Sequence, residues 1–135
     1  MVTFTGSISD FPSGVRLDGP GQGVEGYGLY GYRDGDAFAF AFSSETQAIG
    51  AGTTLWLDSD IDRSTGYQIF GFTGGAEYNV DVGADGIPRL FTGGAGETLV
   101  SELIYAYSSD GQVLQVLIPA ALIGDTDQVR VFADV

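Results

Sequence analysis

The chain has 135 residues, of which 44% are hydrophobic, and eighteen acidic residues against five arginines give a net charge of −13. It contains no cysteine, histidine or lysine, which excludes a disulfide, a thiolate metal site, a Ser-His-Asp triad and a Schiff-base lysine. Such an acidic surface repels nucleic acid, and no apolar run has the length of a membrane span. We therefore expect neither nucleic-acid binding nor membrane insertion.

In chain order, the first clear strand signal is a hairpin. The stretch AFAFAF (37–42) alternates strictly, with Phe38, Phe40 and Phe42 on one face, as a core-facing strand does. It follows RDGD (33–36), and an Asp-Gly pair accepts the positive φ of a tight turn. The sequence therefore predicts that YGLYGY (27–32) pairs with the strand after this turn.

The same signals recur to the end of the chain. Further turns are predicted at ADGIP (84–88) and SSDGQ (108–112), a helical turn at PAALIG (119–124), and strands at AEYNVDV (76–82), VLQVLI (113–118) and VRVFADV (129–135). Short alternating strands with Gly-rich turns predict an all-β fold. We expect an antiparallel β-sandwich, jelly-roll or immunoglobulin-like, with at most one short helical turn, as a single module over residues 1–135.

An acidic loop, LDSDIDRSTGY (57–67), follows the apolar strand TTLWL. Asp58, Asp60 and Asp62 stand at alternate positions, and Ca²⁺ prefers such hard oxygen ligands. The EF-hand pattern does not fit, because Arg63 stands where that loop has glycine and Ile69 where it has glutamate. Spacing alone leaves two interpretations open, a calcium loop at the edge of a sheet and a solvated acidic turn.

The order of the pieces TTLWLDSDIDRSTGY, GGAEYNV, VLQVLIPAALIG and VRVFADV resembles family 9 carbohydrate-binding modules and their DOMON-like relatives in secreted bacterial proteins. The resemblance covers residues 53–135 and, more loosely, 27–43. It implies a structural calcium ion, with Asp58 and Glu77 at the family's acidic positions and Asp60 and Asp62 as additional ligands. It also implies sugar binding in some members, although those often clamp the sugar between two tryptophans and this chain has only Trp56.

Aromatic side chains near the acidic loop are the candidate sugar contacts. Trp56 lies on the opposite strand face from Leu55 and Leu57, so we expect it to point out of the core. The candidate ligand-binding residues are Trp56, Arg63, Tyr67, Tyr30 and Tyr32. Packing in the core is the alternative role for any of these rings.

These observations predict a non-catalytic, calcium-stabilised module that binds a polysaccharide or glycan. Carboxylate pairs are expected by chance among eighteen acids, and no nucleophile elbow or phosphate loop is present, so we do not expect an enzyme. We expect a secreted or cell-surface location, within a larger multidomain chain. The alternative function is a structural or adhesive spacer with no glycan ligand.

Overall fold

A computed structural model describes residues 4–12, 15–17, 26–69, 75–93 and 98–134. The strands, numbered in chain order, are β1 (Tyr27–Asp34), β2 (Ala37–Ser44), β3 (Thr54–Asp58), β4 (Tyr67–Gln68), β5 (Gly75–Ala76), β6 (Tyr78–Val82), β7 (Pro88–Thr92), β8 (Leu99–Glu102), β9 (Ile104–Tyr107), β10 (Val113–Pro119) and β11 (Arg130–Asp134). Two short 3-10 turns, Ile8–Asp10 and Ala120–Ile123, are the helical elements among the described residues. In that part of the chain, no helix has the length and apolar character needed to cross a membrane.

The predicted all-β, antiparallel fold class is confirmed, because every pairing between the described strands is antiparallel. The three Asp-Gly turns connect β1 to β2, β6 to β7 and β9 to β10, as predicted. The helical turn predicted at 119–124 is present as Ala120–Ile123. The expectation of at most one helical turn was wrong, because a second forms at Ile8–Asp10, where the Ser7 side chain caps it by accepting from the backbone N–H of Ser9. The last predicted strand is observed as Arg130–Asp134, and Val135 lies outside the described residues.

Chain contacts divide the protein into two compact units. The first comprises Met1–Ile49 and Ile104–Pro119, and the second comprises Gly50–Leu103 and Ala120–Val135. The first unit holds a sheet in the order β1-β2-β10-β9, and the second holds a sheet in the order β11-β3-β6-β7-β8 and the small β4-β5 pair.

In the first unit, strand β2 is buried on both faces. Its phenylalanines, as predicted, lie in the core, and its alanines are buried just as completely. The alanine face belongs to a cluster with Phe11 and Leu117, against which Tyr30 and Tyr32 also pack. The N-terminal segment therefore covers this face of the sheet, and alanine leaves room for it.

Gln115 on β10 fixes that N-terminal segment by hydrogen bonds. Its fully buried side chain accepts from the backbone N–H of Gly6 at 2.8 Å and donates to the carbonyl of Ser7 at 2.9 Å and to Asp10 Oδ2 at 3.0 Å. Asp10 in turn accepts from the backbone N–H of Thr5 at 2.6 Å. Because these hydrogen bonds satisfy the amide, a polar side chain is tolerated inside the sheet.

In the second unit, one sheet face forms the core. Leu55, Leu57, Val80 and Leu90 on β3, β6 and β7 are each 2% exposed or less. Trp56 lies on the other face and remains partly exposed, as its position between two buried leucines predicted. Strand β3 ends at Asp58, the first aspartate of the acidic loop.

Candidate metal centre

Strand pairing brings two acidic residues together that are far apart in the chain. Leu57 on β3 pairs with Tyr78 on β6, and the backbone N–H of Glu77 donates to the carbonyl of Leu57 at 3.0 Å. Residue 58 at the end of one strand therefore lies beside residue 77 at the start of its neighbour. Asp58 is completely buried, and the Glu77 side chain lies partly exposed beside it.

The loop after β3 adds a third carboxylate. Oxygen atoms of Asp58, Asp60 and Glu77 lie within 4.8 Å of one another, and we call these three residues the acidic triad. Three oxygen ligands at this separation can contact one cation at the distances that calcium prefers. The triad contains three of the four residues predicted to bind the metal.

Backbone and hydroxyl donors orient the triad. The N–H of Ser59 donates to Glu77 Oε1 at 2.9 Å, and the N–H of Asp62 lies 3.1 Å from Asp58 Oδ1 and 3.0 Å from Asp60 Oδ1. The Thr65 hydroxyl lies within hydrogen-bond distance of both Asp60 Oδ2 and Glu77 Oε2. Each carboxylate thus has a fixed orientation in which further lone pairs remain for a cation.

Asp62, the fourth predicted ligand, has a different role. Its Oδ1 accepts from the backbone N–H and the hydroxyl of Ser64, at 2.9 Å and 2.6 Å, and its carboxylate is not part of the triad. Its backbone N–H is the group that holds Asp58 and Asp60. The solvated-turn interpretation therefore describes the Asp62 side chain, while the other three carboxylates converge.

Arg130 on β11 compensates part of the buried charge. It pairs with Asp58 in the strand register, and its Nη1 lies 3.4 Å from Asp58 Oδ2. One guanidinium against three carboxylates leaves the site negative. The sequence pattern did not single out Arg130, although an arginine begins an otherwise apolar strand. Only the pairing of β11 with β3 reveals its partner.

The pKa values of the triad are shifted in opposite directions. Burial raises the pKa of Asp58, and a hydrogen bond with the Asp60 carboxyl raises it further. Burial also raises the pKa of Glu77, with the negative charge of Asp60 contributing. The Thr65 hydroxyl lowers the pKa of Asp60 by hydrogen bonding to its charged form. Without a cation, the site therefore disfavours charge on Asp58 and Glu77.

The raised pKa of Glu77 gives a pH-dependent prediction for the metal-free protein. The folded chain holds the Glu77 proton more tightly than the ordinary pKa of 4.5 implies, so this group's contribution to stability is complete below pH 4.5 and is lost as the pH rises through the raised value. The neutral Glu77→Gln variant avoids that loss. We expect it to be more stable than the unmodified chain at pH 7, by urea unfolding in metal-free buffer.

The stability difference should shrink as the pH falls towards 4.5. Glu45→Gln, which changes an exposed glutamate in the first unit, is the matched control and should alter stability little at any pH. A Glu77→Gln difference that stays constant between pH 4.5 and 8 would contradict the assignment.

The backbone of the loop is unusual at Ile61. This residue has a φ of 53°, which a β-branched side chain rarely adopts, and its side chain is 40% exposed. The left-handed residue stands between Asp60 and Asp62, where the chain reverses after β3. This reversal of the chain brings the backbone N–H of Asp62 within hydrogen-bond distance of the carboxylates of Asp58 and Asp60.

The predicted sugar contacts fall into two groups. Trp56, Arg63 and Tyr67 lie in the second unit, with Tyr67 39% exposed and Arg63 in the acidic loop. Tyr30 and Tyr32 lie in the first unit, where both pack against the alanine cluster and Tyr32 makes an edge contact with Phe11 at 5.4 Å between ring centroids. The structure gives this pair a packing role, so we do not include it in the site.

Comparison of the chain with models of protein families, with curated proteins and with solved structures gives no match. The resemblance to family 9 carbohydrate-binding modules therefore stays a prediction. The site has to be interpreted from its own geometry. That geometry is an acidic triad of hard oxygen donors that could hold a metal ion, with a chemistry that suits Ca²⁺ or Mg²⁺ better than softer metals.

Proposed function

We propose that the chain is a non-catalytic, calcium-stabilised β-module that binds carbohydrate. The observation that carries the calcium part is the convergence of a fully buried Asp58 with Asp60 and Glu77. A buried carboxylate is costly unless its charge is compensated, and Arg130 compensates one charge of three. A divalent cation would supply the remainder.

Calcium fits this loop better than magnesium does. Ca²⁺ accepts six to eight oxygens in flexible geometry, whereas Mg²⁺ demands a near-ideal octahedron and dehydrates reluctantly. The triad offers carboxylates from a strand end, a loop and a neighbouring strand, with solvent access at the exposed Asp60 for water ligands. Modules of this kind with few protein ligands suit the millimolar calcium outside cells, which supports a secreted or cell-surface location.

Direct calcium binding tests the proposal. Isothermal titration of metal-stripped protein should show one Ca²⁺ per chain, and Asp58→Asn should abolish the binding heat. Asp36→Asn is the matched control, because it removes the same charge from an exposed hairpin of the first unit. Equal binding by both variants would refute the triad as the calcium site.

The carbohydrate part is supported by the resemblance and by the partly exposed Trp56 on the strand that ends in the triad. A spacer with no glycan ligand is the second candidate. It is favoured by the packing role of Tyr30 and Tyr32, which removes two of the predicted sugar contacts. A screen against immobilised polysaccharides in calcium buffer separates the two. Retention on any polysaccharide supports carbohydrate binding, and a complete lack of retention supports the spacer function.

A further inference from the structure

The face of the five-stranded sheet opposite its core carries a row of large apolar side chains. The register aligns Phe132 with Trp56, Trp56 with Asn79, Asn79 with Phe91, and Phe91 with Leu99. Residues paired across neighbouring antiparallel strands lie on the same face of a sheet. The sheet therefore carries three aromatic rings and a leucine in one line across β11, β3, β7 and β8.

Four of the five aligned side chains are accessible to solvent. Trp56, Phe91 and Phe132 are each partly exposed, and Leu99 is 54% exposed. Asn79, between the rings, is buried and donates to the carbonyl of Gly93 at 3.0 Å. The three rings span three strand spacings, or about 14 Å, which is enough for several sugar rings.

A second row, parallel to the first, is polar. It lies two residues along β11, β3, β6 and β7, and three residues along β8, where the register with β7 shifts between Leu90 and Phe91. It contains Asp134, Thr54, Asp81, Arg89 and Glu102, aligned by the same register. The Thr54 hydroxyl donates to Asp81 Oδ1 at 3.3 Å, and Arg89 Nε lies 4.0 Å from a Glu102 carboxylate oxygen. Arg89 also donates to both carboxylate oxygens of Asp85, at 3.2 Å and 2.8 Å, so the row presents mainly carboxylate acceptors, partly exposed, along the edge of the apolar row.

We propose that these two rows form the carbohydrate-binding surface, and that its ligand is a neutral glycan chain lying across the strands. This proposal rests on the proposed carbohydrate-binding function and gives that function a place and a ligand class. A pyranose has one face of C–H groups, which packs on the negative face of an aromatic ring, and its edge hydroxyls both donate and accept hydrogen bonds. The aromatic row fits the first property and the polar row fits the second.

Charge selects among possible occupants of this face. Three of the five residues in the polar row are acidic and the chain carries −13, so an anionic polysaccharide is repelled. An apolar protein partner would bury these carboxylates. They would lose their hydrogen bonds to water and gain none from the partner, which is costly. Hydroxyl groups of a neutral glycan replace those hydrogen bonds.

The single tryptophan makes the test direct, because all tryptophan fluorescence comes from Trp56. The unmodified chain, in calcium buffer, is titrated with neutral hexasaccharides of β-linked glucose, xylose and mannose, and with an anionic oligogalacturonide. We expect a neutral hexasaccharide to change the Trp56 emission and the oligogalacturonide to have no effect. Phe91→Ala and Phe132→Ala should each weaken the affinity at least tenfold.

A matched control separates this surface from exposed aromatic side chains elsewhere in the protein. Tyr105→Ala removes a similarly exposed ring from β9 in the first unit and should leave the affinity within twofold. Amide shifts of the isotope-labelled, unmodified chain map the contact without any variant, and should concentrate on the residues of the two rows.

The outcomes distinguish the two proposals. Calorimetric binding of a hexasaccharide without a change in Trp56 emission, or binding lost in Tyr67→Ala and kept in Phe91→Ala, overturns the sheet surface and leaves carbohydrate binding intact. Preferred binding of the oligogalacturonide overturns the neutral ligand class. If no saccharide binds at millimolar concentration by either method, the carbohydrate function itself fails.

Discussion

Calcium is expected to raise the midpoint of thermal unfolding of metal-stripped protein by roughly 5–10 °C, with a much smaller effect of magnesium. A ligand that binds only the folded state adds about 2.7 kcal/mol to the free energy of unfolding when its free concentration is about 100 times its dissociation constant. For a chain of this length, each kcal/mol corresponds to roughly 2–4 °C. The measurement is a melt followed by far-UV circular dichroism, in excess EDTA and then in calcium or magnesium.

Asp62→Asn makes this experiment specific for the triad. Asp62 contributes its backbone N–H to the site and directs its carboxylate to Ser64, so this variant should keep most of the calcium response. Asp60→Asn should lose it. Superimposable melts with and without calcium would show that the triad is a solvated acidic cluster, and a response lost equally in both variants would place Asp62 among the ligands.

Gly66→Ala is expected to destabilise the protein by about 2–5 kcal/mol and to remove the calcium response. Gly66 has a φ of +78°, and an added Cβ would lie 2.5 Å from the carbonyl oxygen of Ala76 and 2.5 Å from Glu77 Oε2. The new methyl group would therefore have to displace both a strand carbonyl and a triad carboxylate. Urea unfolding with and without calcium measures both effects.

Gly52→Ala provides the matched comparison. Gly52 lies in the same unit with a φ of +88°, but no atom would lie within 4 Å of its added Cβ. Its variant should show the conformational cost alone, about 1–2 kcal/mol, and a normal calcium response. Equal destabilisation by the two alanines would mean that the close approach of Gly66 to Glu77 has no energetic importance.

Much of the fold could be predicted from local sequence signals. Strict alternation in AFAFAF and the Asp-Gly pairs determine strands and turns through interactions between near neighbours, and the hairpins formed at the predicted positions. The N-terminal segment could not be assigned in this way, because its glycines and prolines have no period. This segment covers the alanine face of β2. The packing role of Tyr30 and Tyr32 on that face therefore could not be predicted either.

The candidate site was predictable in composition and less so in detail. Alternating aspartates after an apolar strand indicated carboxylates at a strand end, and the resemblance added Glu77. The same residue type serves as a possible ligand at Asp60 and as a hydrogen-bond acceptor for Ser64 at Asp62, and only the backbone path through Ile61 decides between them. The Arg130 contact depends on strands separated by 72 residues in the chain.

That long separation bears on the order in which the protein folds as it is synthesised. Strand β3 pairs with β6 on one side and with β11 on the other, and β11 is the last of the described strands to leave the ribosome. Until it arrives, β3 has an open edge, and Asp58 faces Asp60 and Glu77 without the guanidinium of Arg130. A cation bound during this interval would take the place of the missing arginine and stabilise the open edge of β3 before the final strand is added.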